Sequence, residues 1–160
     1  DGHIWNRSAN VVNMLDQGIE AQEPHVVELS DGRTMMLFRT YSGYVGRAYS
    51  DDQGESWSSG EMVEELVPPP NSSALHLSRM PSSGDLLLLR STGEGRTPFT
   101  SVISRDEGRT WRNERVIADK PDGRYGYSSV LHLDGITLIS YPSDGLHVVR
   151  IPTSWFCEQD

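Results

Sequence analysis

The sequence predicts an all-β fold assembled from about three copies of one four-stranded unit. One turn motif occurs twice, a second turn marker occurs three times, and short apolar runs separate the turns. Four strands in a repeat of about 50 residues is the arithmetic of a β-propeller blade. With 160 residues, of which 36% are hydrophobic and 23% charged, the chain also has the composition of an ordered globular protein.

The first repeat marker reads Ser-x-Asp-x-Gly-x-Ser/Thr-Trp. It occupies residues 50–57 and 104–111, so its two tryptophans are 111 − 57 = 54 residues apart. A similar step back, 57 − 5 = 52, reaches Trp5, where the preceding Gly2-His3-Ile4 matches the end of the same motif. We therefore expect the chain to begin inside a third copy of the motif.

The second repeat marker is a glycine turn between two apolar runs, which is a hairpin signal. Its glycines are Gly32, Gly84 and Gly135, and they are 84 − 32 = 52 and 135 − 84 = 51 residues apart. Two independent markers thus keep a common period, which argues against chance and for a repeat architecture.

The strands are predicted from the apolar runs between these turns. In the first and second units they are expected at residues 24–29, 34–40, 44–50 and 61–66, and at residues 73–80, 85–91, 98–104 and 114–119. In the third unit they are expected at residues 127–133, 136–141 and 145–151. Helical periodicity is confined to residues 9–16. The predicted organisation is a blade remnant at 1–22 and blades at about 23–72, 73–124 and 125–160.

The repeated motif has a structural explanation. An Asp beside a Gly suits a tight turn between the third and fourth strands, where the carboxylate accepts backbone N–H groups. The Trp that follows can pack in the apolar layer between neighbouring sheets. A metal-binding or acid-catalytic role is the weaker alternative, because these aspartates belong to separate blades and do not converge.

The motif matches the Asp-box, or bacterial neuraminidase repeat, and from about residue 20 onward the chain resembles the sialidase superfamily. The stretches that carry the resemblance are residues 23–33, 37–40, 79–87, 96–98, 104–111 and 125–129. Sialidases are six-bladed propellers. The resemblance therefore implies a sialidase-type propeller, with about three of its four-stranded blades in this chain, corresponding to the C-terminal half.

The repeat phase alone selects four candidate site residues. Glu23 and Tyr127 enter the first strands of their units and are 127 − 23 = 104 residues apart, which is two periods of 52. Arg39 ends a second strand, and Arg96 lies in the loop between a second and a third strand. In an antiparallel meander these positions share one face, and the Asp-boxes lie on the opposite face.

The resemblance implies the roles of these residues. Sialidases use a tyrosine nucleophile paired with a glutamate, three arginines that bind the substrate carboxylate, and an aspartate as acid/base. Tyr127 would then be the nucleophile, Glu23 its partner, and Arg39 and Arg96 two of the arginines. An unperturbed tyrosine has a pKa of about 10 and needs a base beside it to attack. The first arginine and the acid/base aspartate come from early blades and are not assigned in this chain.

Other residues compete for these roles. Tyr125 would replace Tyr127 if the register slipped by two residues, and Arg79 lies in a matched stretch but near the wrong end of its strand. Arg47 and Arg124 are weaker candidates for the arginine pair. Each candidate also has a structural alternative, as a surface ion pair or a core aromatic.

The expected function is that of a sialidase-like exo-glycoside hydrolase acting on an anionic sugar, with retention at the anomeric carbon. The alternatives are a non-catalytic propeller that binds carbohydrate or protein, and a polysaccharide lyase on the same fold. The expected partners are a glycan substrate and the remaining half of the propeller or another chain. Such a half propeller would expose two large apolar faces.

Several classes are disfavoured by composition. A formal net charge of −9 argues against nucleic acid as a partner, since phosphate binding needs a basic face. The sequence contains no run of 18 apolar residues, so it predicts no transmembrane helix. The five histidines lack metal-ligand spacing. We expect no metal and no cofactor, and the compartment stays open, with a secreted or periplasmic location slightly favoured.

Overall fold

The protein forms three antiparallel sheets with almost no helix, which confirms the predicted all-β class. The computed structural model describes residues 2–67 and 74–158. Within them the strands of the first sheet are β1 (Ala21–Glu28), β2 (Thr34–Thr40), β3 (Val45–Ser50) and β4 (Glu61–Met62). The second sheet contains β5 (His76–Arg79), β6 (Leu86–Ser91), β7 (Phe99–Ser104) and β8 (Arg112–Ala118). The third contains β9 (Ser129–His132), β10 (Ile136–Pro142) and β11 (Leu146–Pro152).

Each sheet is a meander in which consecutive strands are neighbours. The glycine turns connect the first and second strands, as the turn marker predicts. In the first sheet Leu29 N–H donates to the Arg33 carbonyl at 2.7 Å, and Gly32 lies between them with φ 87°. That left-handed backbone is the conformation that favours glycine. The turn therefore returns the chain directly into β2.

Helical structure in the described residues is limited to three short 3₁₀ turns, at Leu15–Gln17, Glu94–Arg96 and Thr153–Phe156. The helical periodicity of residues 9–16 does not correspond to an α-helix. This segment instead ends in an isolated antiparallel bridge between Met14 and Ile19. None of the described helices is long and apolar enough to cross a membrane.

Several strand ends differ from the predicted bounds, by one to four residues, and two of these differences have a clear cause. The strand predicted at 61–66 ends at Met62, because Val63 makes one more bond to Val45 and the chain then turns. This turn buries Leu66 between the first two sheets. At the other end β1 begins at Ala21 and not at residue 24, since its pairing with β2 continues past an irregularity between Gln22 and His25. Residue 73, the predicted start of β5, lies outside the described residues.

Two apolar layers hold the three sheets together. One layer packs the first sheet on the second and includes Leu37 and Val45 from one side and Leu86 and Leu88 from the other. The second layer packs the middle sheet on the third through residues such as Leu87, Leu89, Phe99, Ile139 and Tyr141. A third, smaller cluster covers the outer flank of the first sheet, where Met14 packs on Phe38.

Both complete Asp-boxes adopt the predicted turn. In the box of the second sheet, Asp106 Oδ1 accepts the Thr110 N–H at 2.8 Å and the Ser104 hydroxyl at 2.9 Å, and Oδ2 accepts the Thr110 hydroxyl at 2.7 Å. In the other box the hydroxyl and backbone N–H of Ser56, together with Ser50, lower the pKa of Asp52 to about 2. The box carboxylates therefore organise their own turns.

Both box tryptophans pack on apolar clusters, but only Trp111 packs between two sheets as predicted. Trp57 packs against the flank cluster and Trp111 against the layer between the first and second sheets. Trp5, expected in the remnant of a third box, is instead 86% exposed, and its indole N–H donates to the Gly2 carbonyl.

Each box also contacts the chain that precedes its own sheet. Glu107 in the second box pairs with Arg79 at 2.7 Å and accepts the Ser30 N–H of the first sheet at 3.0 Å. These contacts lower the pKa of Glu107, with the Arg79 hydrogen bond as the largest cause. In the first box, Trp57 N–H donates to Asn10 Oδ1 at 2.9 Å. The polar contacts thus add orientation to the apolar stacking.

Replacement of Asp106 by alanine should weaken the second box. It removes the acceptor of three hydrogen bonds, and we expect a loss of about 1–2 kcal/mol in the free energy of unfolding. Urea denaturation followed by tryptophan fluorescence measures the change. The matched control is Asp51→Ala, an exposed carboxylate beside the equivalent Asp52. Equal midpoints for Asp106→Ala and wild type would contradict the role of the box.

Candidate functional site

The four residues selected by repeat phase lie together at one rim of the stacked sheets. Arg39 Nη1 is 3.2 Å from both carboxylate oxygens of Glu23. The Tyr127 hydroxyl donates to Glu23 Oε1 at 3.1 Å, although the two residues are 104 positions apart. The Arg96 guanidinium stacks over the Tyr127 ring, with its Cζ 5.8 Å from the ring centre. One carboxylate therefore links the first sheet to the segment that enters the third.

Glu23 and Tyr127 share an unusual backbone conformation. Their φ values are 50° and 49°, in the left-handed region that side chains other than glycine rarely adopt. At Glu23 this coincides with the irregular pairing of β1 on β2. A residue held in this region costs about 1–3 kcal/mol, and such residues cluster at active sites and ligand clamps. The same strained backbone at equivalent repeat positions aims both side chains at one point.

Arg39 is held in place on two sides. It lies near the end of β2, and its side chain is only 11% exposed. The Glu23 carboxylate binds it on one side, and the Tyr41 ring lies 5.2 Å from its Cζ on the other. A guanidinium with this support has lost most of its rotamer freedom already. It therefore presents its fork in a fixed direction.

Arg96 lies in the turn Glu94–Arg96 between β6 and β7, with a left-handed φ of 71°. Its carbonyl accepts the Tyr125 N–H at 3.2 Å, so the turn is tied to the segment that carries Tyr127. Among the side chains that the structure describes, none forms an ion pair with the Arg96 guanidinium. This cation is therefore available to an anion at the rim.

The described part of the rim brings a second cation beside an ion pair, in a chain with a formal net charge of −9. Arg39 pairs with the Glu23 carboxylate, and the Arg96 guanidinium lies over the Tyr127 ring. A guanidinium without a carboxylate partner among the described side chains suits an anionic ligand. Arginine forks bind carboxylate groups through two parallel hydrogen bonds.

Tyr125, the alternative to Tyr127, lies in the core. It is 2% exposed, its ring packs on Phe99 and Tyr141, and its hydroxyl accepts the Lys120 N–H at 3.1 Å. Tyr127 is 61% exposed. Of these two tyrosines, Tyr127 is therefore the one that a ligand at this rim can contact.

Two of the alternative arginines, Arg79 and Arg47, lie elsewhere. Arg79 binds Glu107 and the Glu28 carbonyl on the Asp-box side of the sheets. Arg47 pairs with Glu61 at 2.9 Å and donates to the Gly108 carbonyl, which also belongs to the Asp-box side. Both arginines connect neighbouring sheets and do not face the rim.

Two histidines next to the site were not selected from the sequence. His25 follows Glu23 by two residues on β1, and its ring centre is 5.0 Å from that of His76 on β5. His76 Nδ1 lies 3.1 Å from the carbonyl of Ser128, the residue after Tyr127. A signal was present, because 76 − 25 = 51 is one repeat period.

Both imidazoles are shifted toward their neutral forms. Burial lowers the pKa of His25, although the nearby Glu23 acts to raise it. Burial, followed by the neighbouring His25, lowers the pKa of His76 to about 4. Within residues 2–67 and 74–158 no three His, Cys, Asp or Glu side chains converge as a metal site would require.

Comparison with known proteins points to one family. The sequence model of the BNR repeat-like domain matches residues 1–139. A sialidase of Micromonospora viridifaciens is 28% identical over 166 residues, an alignment that covers 96% of this chain and 24% of that protein. The chain thus spans about a quarter of the length of this curated relative.

Solved structures share the fold. The intramolecular trans-sialidase of Ruminococcus gnavus superposes with a TM-score of 0.66 at 23% identity, covering 89% of this chain and 34% of that one. The K499G mutant of NanB sialidase from Streptococcus pneumoniae gives 0.69 at 22%, covering 93% and 25%. An α-L-arabinofuranosidase of Fusarium graminearum gives 0.61 at 17%, covering 81% and 44%. These likenesses confirm the predicted sialidase type of propeller.

Replacement of Glu23 by glutamine should lower the pKa of His25 further. The Glu23 carboxylate stabilises the imidazolium and raises this pKa, so its neutralisation leaves the lowering effect of burial without that opposing charge. An NMR titration of the His25 ring protons measures the shift. Glu28→Gln, at the far end of β1, is the matched control and should leave the titration of His25 unchanged. A raised pKa in Glu23→Gln would contradict the described geometry.

Proposed function

This chain belongs to the BNR repeat-like domain family, and we propose that it forms part of a retaining exo-glycoside hydrolase that acts on sialic acid glycosides. The observation that carries the proposal is the hydrogen bond of 3.1 Å from the Tyr127 hydroxyl to the Glu23 carboxylate. It joins an exposed phenol to a base at a rim where two guanidinium groups converge. The relatives named as sialidases make this the favoured substrate class.

Tyr127 and Glu23 have the chemistry of an activated nucleophile. A neutral phenol attacks an anomeric carbon only when a base removes its proton, and Glu23 Oε1 is at the distance this transfer needs. In the first step the Tyr127 oxygen bonds to the anomeric carbon, its proton passes to Glu23, and the bond to the leaving oxygen breaks. Water then attacks the anomeric carbon and gives a proton to the external acid/base, while Glu23 returns its proton to the departing tyrosine oxygen. The two displacements give retention overall.

The charge of the substrate explains the choice of a phenol. Sialic acid carries a carboxylate on its anomeric carbon, so an anionic carboxylate nucleophile would be repelled by it. Tyrosine is a known exception to the usual pair of carboxylates in glycosidases. The free guanidinium of Arg96 and the buried one of Arg39 would bind the substrate carboxylate and hold it beside the phenol.

Two groups of this reaction are proposed to come from outside residues 1–160. The leaving oxygen needs a proton from an acid, expected to be an aspartate, and the carboxylate needs a third arginine. The outer face of the third sheet supports a covering partner, because it exposes Leu131, Leu133, Val148 and Leu146, the last at 93%. That partner would be a further part of a longer propeller or another chain.

Two other functions fit the same rim less completely. A non-catalytic carbohydrate- or protein-binding propeller would use the arginines without the phenol, and a polysaccharide lyase would use the tyrosine as a base. The arabinofuranosidase among the structural neighbours adds a neutral glycoside to the candidates. A purely binding propeller gives the hydrogen bond between the Tyr127 hydroxyl and Glu23 no chemical role.

Tyr127→Phe in the full-length protein should lower kcat for a 4-methylumbelliferyl sialoside by about 10³-fold or more, because the nucleophilic oxygen is lost. Release of 4-methylumbelliferone measures the rate. Tyr125→Phe is the matched control, since that hydroxyl lies in the core, and it should keep kcat within about threefold. Unchanged activity in Tyr127→Phe would reject the proposed nucleophile. Activity on the arabinofuranoside alone would reject the proposed substrate class.

Arg96→Ala should raise KM for the sialoside by about 10- to 100-fold, which corresponds to the loss of a charged hydrogen bond. Arg96→Lys keeps the charge but not the fork and should recover part of the loss. Arg109→Ala, an exposed arginine of the Asp-box side, is the control and should leave KM unchanged. An unchanged KM in Arg96→Ala would remove this residue from the binding site.

A further inference from the structure

We propose that His76 is the positioning residue that holds Tyr127 at hydrogen-bond distance from Glu23, an inference that rests on the proposed role of that pair. The contacts of His76 are with the neighbours of Tyr127 and Glu23, namely the Ser128 carbonyl and the His25 ring. His76 acts through the strands that carry them, and its place in the middle sheet makes this possible.

The contact with Tyr127 runs through the backbone. His76 Nδ1 lies 3.1 Å from the Ser128 carbonyl, and a carbonyl can only accept, so the Nδ1–H group donates. Ser128 is buried and directly follows Tyr127. This bond joins the first residue of β5 to the segment that enters β9. It therefore fixes the chain immediately after the left-handed Tyr127.

The contact with Glu23 runs through His25. The rings of His76 and His25 pack at 5.0 Å with an angle of 58° between their planes, and His25 follows Glu23 by two residues on β1. One imidazole thus touches both segments that the site must bring together. Burial around the pair raises the cost of moving either ring into water.

The middle sheet has to transmit this geometry because the two residues belong to different sheets. Within the described strands β1 pairs with β2 and β9 pairs with β10, and no ladder joins β1 to β9. β5 lies between them and packs on both. The distance from the Tyr127 hydroxyl to Glu23 is therefore set across β5, at the level of His76.

The neutral state of His76 suits this role. With its pKa lowered to about 4, mainly by burial, the ring is uncharged at neutral pH. The hydrogen bond to Ser128 then selects the Nδ1–H tautomer. A neutral ring also adds no third cation beside Arg39 and Arg96, so the positive charge at the rim comes from the two arginines.

The test compares His76→Leu with His76→Asn in the full-length protein. Asparagine places an amide nitrogen close to the position of Nδ1, and leucine has no donor. We expect His76→Leu to lower kcat by about 10²-fold, the effect of a displacement of about 1 Å, and to change KM by less than about threefold. His76→Asn should recover kcat to within about fivefold of wild type.

Ser78→Ala is the matched control. The Ser78 hydroxyl is 3.1 Å from His132 Nε2 and forms a second contact between β5 and β9, farther from the rim. Its loss weakens the same pair of strands without moving Ser128, so kcat should stay unchanged. A loss of kcat in Ser78→Ala equal to that in His76→Leu would show a general loss of packing and overturn the proposal.

Two further measurements do not depend on turnover. The ¹⁵N shifts of His76 should show a proton on Nδ1 at neutral pH, and a crystal structure of His76→Leu should show a longer distance from the Tyr127 hydroxyl to Glu23. A proton on Nε2, or an unchanged distance, would overturn the inference. A wild-type protein inactive on every glycoside would defeat the proposed function, and these two measurements would still decide the role of His76.

Discussion

Apolar stacking of one sheet on the next is the constraint on which the rest of this structure depends. β6 shows it most clearly, since Leu86 and Leu88 pack toward the first sheet and Leu87 and Leu89 toward the third. A strand that is buried on both faces has an uninterrupted apolar sequence, because a neighbouring sheet packs on each face. Neighbouring sheets therefore hold a fixed rotation, and equivalent strand ends meet at one rim.

Polar contacts fix the orientation of neighbouring sheets. The stability of the stacked sheets offsets the backbone strain at the rim. Glu107 of the second Asp-box binds Arg79 of its own sheet and the Ser30 N–H of the preceding sheet, and the latter contact resists sliding between the two sheets. At the opposite rim Glu23 and Tyr127 keep left-handed backbones, each costing about 1–3 kcal/mol. A rigid stack can hold such residues, whereas an isolated hairpin would relax them.

The repeat period was enough to predict the strands, because apolar strand segments and polar turn segments alternate along the chain. It failed where a contact outside the repeat decided the backbone. β4 ends at Met62 because Leu66 turns into the layer between the first and second sheets. The third unit continues into the turn Thr153–Phe156, where Phe156 is buried. Both outcomes depend on packing partners that are distant in sequence, and no local pattern encodes them.

For the rim, the sequence by itself determined that Glu23, Arg39, Arg96 and Tyr127 lie on one face, since residues one or two periods apart occupy equivalent places in an antiparallel meander. Only the tertiary structure decided which groups touch. Distances of about 3 Å between side chains depend on sheet rotation and on strained backbone, and period arithmetic does not resolve either. For the same reason the sequence did not indicate the role of His76, whose partner is a backbone carbonyl 52 residues away.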